Sequence, residues 1–559
     1  MIILSVHDGH DAGACLLRDG KVVLYSAEER RRNVKNYAGI PAQSLAELFR
    51  RTGIAPAEVD AIALCDRIRT MTPTRKESPL KSLLRTFYFL GQTELTTQFG
   101  QWLLAKIRKR RVLLEELAEM GLGDKPVTAY DHHLCHAATA YYHRPWDGEA
   151  LVLTLDGAGD GLCATVSIGS DSGLRTIAKT PKFHSPAAWF YSAITAHLGL
   201  KPYEHEYKVM GMAPYGRAEY CAPLLRQCFR VDGLRFRNQT RRNGPAIQSY
   251  YRRLLQGQRF DNISAACQLV FEELMVQWVG NAIRETGISR VACAGGAFLN
   301  VKANKLIREL PETELLYVYP ASDDGGTPIG AAILGYLDLC KKRGVEPQLD
   351  LPKDMYLGVE HSEPEMETAL NAAGVQYTRM ANPAQEIARL LADQQIVARF
   401  SGREEIGPRS LGNRSILADP RDLRVIRKLN FAIKQRDFWM PFAASMLKED
   451  ADEYVTGLSA WPYYMIEAFD TKSRAEDTFI SAMHPFDLTV RPQIVNGLND
   501  GYREVIGAFK ERSGYGVLLN TSFNLHGFPI VGSPAVAIRT LTESGLDALA
   551  LGPFLAQKN

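Results

Sequence analysis

The sequence predicts an α/β protein of two domains, and three observations carry that prediction. At 559 residues the chain is too long for a single hydrophobic core. Short apolar runs bounded by Asp-Gly and Gly-Gly turns alternate with longer stretches of helical character. A unit of strand, polar turn and return strand occurs twice, at residues 2–17 and 151–168, which argues for one architecture duplicated in the N-terminal part.

Hydrophobic residues make up 46% of the chain, charged residues 23%, and the net charge is +3. A soluble globular protein is expected, with no electrostatic reason to bind nucleic acid or an anionic membrane. The basic residues 106–111 fall in a helical segment, 101–120, and read as a solvated face. Nine scattered cysteines without a CxxC pair exclude a zinc ribbon and a secreted disulfide framework, and fit a reducing compartment. The N-terminus turns polar after six residues and no apolar run reaches a membrane span of roughly 18 residues, so a cytoplasmic location is expected.

In chain order, residues 2–6, 14–17 and 21–25 read as strands, the last two joined by the Asp19-Gly20 hairpin signal. With its His-Asp-Gly turn, this opening resembles that of an actin-like ATPase domain. Its recurrence at Asp156-Gly157-Ala158-Gly159-Asp160-Gly161 implies two halves facing each other over a nucleotide cleft. An apolar run from Val291 ends in Gly295-Gly296 and enters a helix through Asn300, resembling the adenosine-binding motif of that superfamily. Asp323-Asp324-Gly325-Gly326 then feeds a helix of small residues and is where a last acidic ligand would enter the cleft. Residues 67–125 lack motif residues and read as a helical insertion, in which Phe87, Tyr88, Phe89, Phe99 and Trp102 either line an acceptor pocket or form a helix–helix core. Charged, proline-bearing residues at 341–352 mark a boundary between domains 1–345 and 353–559.

The most informative motif is His132-His133-Leu134-Cys135-His136, followed twenty residues on by Asp156 at the end of the apolar run from Leu151. Imidazoles at i and i+4 share one helix face, so His132 and His136 can hold one ion from the same side. A carboxylate ligand makes the site mixed nitrogen and oxygen, which suits Fe, Mn or Zn better than Ca or Mg. In the C-terminal part, Arg403, Arg409, Arg414, Lys434, Arg436 and Arg491 all stand beside glycine, proline or polar turn residues. Cations so placed are suited to gripping phosphate, and Asn520, Ser522 and Asn524 to orienting a small planar acyl group.

Taken together, motifs running in order from His10-Asp11 to Leu551-Gly552-Pro553 resemble the NodU/CmcH carbamoyltransferase family, which decorates nodulation factors, aminoglycosides, cephems and related natural products. The resemblance implies an actin-like N-terminal domain similar to the tRNA threonylcarbamoyl transferases and a YrdC-like C-terminal α/β domain. The latter would form carbamoyl adenylate from carbamoyl phosphate and ATP, with Mg²⁺, and the former would pass the carbamoyl group to a small-molecule hydroxyl, as in antibiotic biosynthesis. It also implies metal ligands His132, His136, Asp156 and Asp324, with Asp323 a rival for the last, and iron as the metal, although zinc or manganese would suit the donors. His133 would orient a ligand or substrate. His10 would be the general base, in preference to His7, as a neutral imidazole with a pKa near 6.5. Lys35, Gly295, Gly296, Asn300, Arg409, Arg414, Lys434, Arg436, Arg491, Asn520 and Ser522 would contact ATP, carbamoyl phosphate or the adenylate. The stretch Glu206 to Gly216 is a further signature, and Met440 departs from an arginine that many relatives carry.

Three other enzymes share part of this pattern. A threonylcarbamoyl transferase acting on tRNA would lack the C-terminal arginine-rich domain, a hydrogenase-maturation enzyme would need CxxC zinc fingers, and a sugar kinase has no use for His132 and His136. An inactive nucleotide-binding scaffold would have lost the ligand set. The acceptor is open, and so is the oligomeric state, a homodimer included.

Overall fold

The computed structural model describes residues 1–67, 111–434 and 437–558, and the chain forms two compact units. The first comprises Met1–Val23, Ala38–Ala42 and Thr52–Leu351; the second comprises Leu24–Tyr37, Gln43–Arg51 and Pro352–Asn559. The main division falls between Leu351 and Pro352, and residues 24–37 and 43–51 belong to the second unit. The aromatic residues between 87 and 102, the basic residues 106–110 and Arg436 lie outside the described residues.

Two five-stranded sheets of identical order build the first unit. In one, Ile2–His7 pairs antiparallel with Gly13–Arg18 and parallel with Ala61–Cys65, which pairs parallel with Val127–Tyr130; Lys21–Ala27 is the edge strand. In the other, Ala150–Gly159 pairs antiparallel with Leu162–Ser170 and parallel with Arg290–Ala294, with Gly173–Pro181 and Leu315–Val318 at the two edges. The duplication read from the paired hairpins is therefore a duplication of sheet topology. Ile2–His7 and residues 150–155 of the second central strand are buried on both faces, and this is why they read as continuous apolar runs rather than alternating ones.

Two helices bring the chemistry-bearing residues of this unit together. His132–His143 begins at Asp131, whose side chain accepts from Leu134 N at 3.2 Å, while Asp160 accepts from His132 N at 2.8 Å. Thr327–Arg343 opens with Pro328 in its first turn and ends at Gly344, whose φ of 64° terminates it. It packs against the first helix so closely that a Cβ on Gly330 would lie 2.0 Å from the Cys135 carbonyl oxygen. Ser5 Oγ donates to Pro328 O at 2.6 Å, and Tyr130 Oη to Asp338 at 2.7 Å, which fixes the helix on the first sheet.

The second unit is an eight-stranded mixed sheet whose centre is Ala548–Leu551, Val397–Phe400, Arg414–Ala418 and Val517–Ser522. Neighbouring residues along these strands alternate between two cores: Val397, Leu417 and Leu518 face helices Pro383–Ala392 and Asp500–Ser513, while Ala398, Ile416 and Leu519 face the other side. Among the described residues, no helix is long and apolar enough to cross a membrane.

Candidate metal centre

His132, His136, Asp156 and Asp324 meet in the first unit, with one donor atom from each lying within 4.8 Å of all the others. The two Nε2 atoms are 3.1 Å apart; His132 Nε2 lies 3.3 Å from Asp156 Oδ2, and Asp324 Oδ1 lies 3.4 and 3.5 Å from the two Nε2 atoms. Three pieces of backbone deliver the four residues. The histidines project from successive turns of one helix. Asp156 stands where the pairing of Ala150–Gly159 with its hairpin partner shifts register between Leu155 and Gly159, a bulge that turns the side chain out of the sheet. Asp324 opens a single 3₁₀ turn just before Thr327–Arg343; of the two adjacent aspartates it is the one that reaches the cluster.

Glycines make the approach possible. A Cβ on Gly159 would sit 2.1 Å from the His132 ring, and one on Gly296 would sit 2.9 Å from Asp156 Oδ1. Gly296 N points at Asp156 Oδ1 at 3.3 Å, and Gly295, at φ 105°, has no room for a side chain against Leu155. The Gly-Gly element expected at a nucleotide therefore braces a carboxylate of the cluster. Asn300 is committed as well: it caps helix Val301–Arg308 by accepting from Ala303 N and exchanges amide hydrogen bonds with Gln268.

The electrostatics are those of a cation site. Burial disfavours a charged His132, yet the Asp324 and Asp66 carboxylates outweigh it and hold the imidazole pKa well above its ordinary value. Burial likewise disfavours an ionised Asp156, but His132 and His136 keep its carboxyl far below the usual range. Two imidazole nitrogens and two carboxylate oxygens converging on one point fit a divalent transition metal. His133 has a different environment. It is wholly buried, with Nδ1 2.8 Å from Thr154 Oγ1, and burial beside His132 and His136 pushes its pKa down to about 3. Through Thr154 it contacts the strand that bears Asp156.

His10 lies in the first hairpin, 44% exposed, with Nδ1 2.9 Å from Asp11 Oδ2. Partial burial opposes its charge, but Asp11, with Asp324 and Asp156 beyond it, raises the pKa. The neutral imidazole near 6.5 expected from sequence is thereby corrected: the carboxylate next in the chain makes this ring more basic. The Glu206 stretch forms a helix, Glu206–Met212, whose first residue accepts from Ser192 Oγ and Tyr203 N. Tyr203 in turn lies over Gly157, beside Asp156.

In the second unit, Lys434 Nζ donates to both the carbonyl and Oγ of Ser522 and to both oxygens of Asn524, so three residues expected at a phosphate or acyl group occupy one spot. Arg409 and Arg491 are half-buried on the loops before Arg414–Ala418 and Gln493–Val495, and Lys35 is half-buried after helix Glu28–Arg32. Arg414 departs from the phosphate-gripping role. It is fully buried, donates to the Ser401, Gly402, Asn413 and Val359 carbonyls, and stacks on Phe400 at 3.7 Å. Burial lowers its pKa to about 10, and both terminal nitrogens are spent on backbone carbonyls. Asn520 is consumed similarly by Ser410, Ser445 and Gln493. Met440 is buried, so it offers nothing in place of an arginine.

Sequence reading missed three residues. Glu405 gathers the Leu411, Asn413 and Arg414 N–H groups at 2.7 to 3.2 Å and so shapes the 405–414 loop, while Glu404 pairs with Arg30 and Arg31. Asp66 lies 2.7 Å from His132 Nδ1. It had a signal: like Asp156, it ends an apolar run, Ala61–Cys65.

The chain matches the carbamoyltransferase N-terminus family over residues 3–333 and the carbamoyltransferase C-terminus family over residues 388–558. It is 30% identical to the nodulation protein NolNO of Sinorhizobium fredii, over 98% of this chain and 79% of that protein. To the nodulation protein NolO of Bradyrhizobium diazoefficiens it is 33% identical, over 77% of this chain and 79% of the relative. Among solved structures, full-length HypF in a phosphate- and nucleotide-bound form is 14% identical with a TM-score of 0.37, covering 62% of this chain and 47% of that one, too loose a likeness to argue from.

Proposed function

Because the chain belongs to the carbamoyltransferase family, we propose that it is an ATP-dependent O-carbamoyltransferase working through two half-reactions. In the C-terminal, YrdC-like unit, carbamoyl phosphate would lose phosphate to water and the carbamate oxygen would attack the α-phosphorus of Mg²⁺-bound ATP, releasing pyrophosphate and leaving carbamoyl adenylate. In the actin-like N-terminal unit, the hydroxyl of a small-molecule natural product would attack the carbamoyl carbon, with AMP as leaving group. The observation that carries this reading is the convergence of His132, His136, Asp156 and Asp324 on one point.

These four residues would hold the metal, for which we propose iron. A divalent ion there would supply a Lewis acid for the adenylate phosphate or the carbamoyl oxygen. His10 would take the acceptor's proton onto Nε2 while Asp11 holds Nδ1. Lys434, already oriented by Ser522 and Asn524, would neutralise phosphate charge in the other half-reaction, with Lys35, Arg409, Arg436 and Arg491 as further cations. Arg414 and Asn520 would keep the loop and strand beneath them in shape. Carbamoyl adenylate is a mixed anhydride, so both half-reactions need shelter from water.

The test is to incubate the purified protein with ATP, Mg²⁺ and carbamoyl phosphate, without acceptor, and to resolve AMP, ADP and pyrophosphate while searching by mass for carbamoyl adenylate. Pyrophosphate and the adenylate, formed only with carbamoyl phosphate, are expected. ADP alone would make the protein a kinase, and absence of turnover would leave a scaffold.

A further inference from the structure

Behind the proposed metal ligands stands a carboxylate that the two half-reactions do not use. Asp66 follows strand Ala61–Cys65, is 1% exposed, and has a left-handed backbone with φ 65°, a conformation that aspartate tolerates better than most residues. Its Oδ1 lies 2.7 Å from His132 Nδ1 and its Oδ2 3.5 Å from His7 Nδ1. His7, equally buried, places Nε2 2.8 Å from the backbone carbonyl of His10. An ionised carboxylate only accepts, so His132 must carry a proton on Nδ1 and is left to present Nε2 to His136, Asp156 and Asp324. A carbonyl also only accepts, so His7 donates from Nε2 and ties its ring to the turn that bears His10.

We infer that Asp66 is a positioning residue: by its hydrogen bond it fixes His132 as an Nε2 metal ligand and, by a longer ion-pair contact with His7, it links the metal-binding helix to the hairpin that carries His10. Imidazole ligands whose second nitrogen donates to a carboxylate are held in tautomer and orientation, and the carboxylate raises their basicity. The inference rests on the metal reading above, and it assigns a role in metal affinity to a residue that is not itself a ligand. All four groups, His7, His10, Asp66 and His132, belong to the first compact unit.

Co²⁺ titrated into metal-stripped full-length protein tests it, with the visible bands and a competing chelator giving the dissociation constant. Wild type should bind one Co²⁺, and His132→Ala should abolish binding. Asp66→Asn should weaken it by roughly 10- to 100-fold and alter the bands, with unchanged circular dichroism, and Asp66→Glu, which restores the charge, should recover part of the loss. Should Asp66→Asn fail to fold, Asp66→Glu decides, because displacing the carboxylate by one methylene should still lower affinity. Wild-type binding with both variants within twofold of it would overturn this inference alone. A wild type that takes up no Co²⁺ would overturn the metal reading and this inference with it.

Discussion

Single side chains set two of the expected behaviours. His10 can accept a proton only after losing its own, and Asp11 at 2.9 Å raises its pKa above 6.5 against the opposing effect of burial. Activity should therefore be low at acidic pH and rise through a limb displaced upward from 6.5. Asp11→Asn removes the partner, so the acid limb of kcat/KM should move back toward 6.5; a limb that stays put would mean that His10 is not the titrating base. Arg414 makes the opposite kind of prediction, because its charge is structural. Arg414→Lys keeps the charge but cannot serve four carbonyls or stack on Phe400. Urea unfolding should report a loss of about 2–4 kcal/mol. The two arginine roles could not be told apart in the sequence: a Gly-Asn-Arg-Ser turn looks the same whether the guanidinium faces a ligand or is buried in its own loop.

At the level of elements, the local signals were legible and the long-range ones were not. Apolar runs closed by Asp-Gly turns marked the strands of the first hairpin within about two residues, whereas Ala150–Gly159 runs four residues past the apolar run that ends at Leu155. The i, i+4 histidines declared their shared face for the same reason: helical period is written in sequence. What Asp66 does depends on a parallel pairing of Ala61–Cys65 with Val127–Tyr130, and what Arg30 and Arg31 do depends on Glu405 and Glu404 more than 370 residues away. Neither leaves a periodic trace. The bulge at Asp156 gives a further element-scale prediction. Gly159 lets the hairpin pass the His132 ring, and its replacement by alanine would place a Cβ 2.1 Å from that ring. Gly159→Ala should therefore displace His132 and weaken metal binding, measured by metal content after dialysis, more than it lowers the melting temperature. A variant with full metal content would show that the hairpin yields instead of the ring.

For the whole molecule, the division into two compact units, each with its own sheets, suits a chemistry that forms a reactive anhydride with one set of residues and spends it with another. The proposal places the cations around Lys434 in the first half-reaction and the four-residue cluster in the second, so lesions should separate. His136→Ala removes a donor from the cluster but touches nothing around Lys434. It should leave carbamoyl-phosphate-dependent pyrophosphate release near the wild-type rate while ending transfer to an acceptor. Lys434→Ala removes the ammonium that Ser522 and Asn524 orient. It should cut pyrophosphate release by 10²-fold or so, since an oriented charge on a reacting phosphate contributes about 3 kcal/mol, and yet leave metal content intact. Transfer by Lys434→Ala should then return when carbamoyl adenylate is supplied directly, whereas His136→Ala should fail with the same supply. Pyrophosphate release that falls equally in both variants would mean that the cluster takes part in making the adenylate, and the assignment of the two half-reactions to separate residues would have to be abandoned.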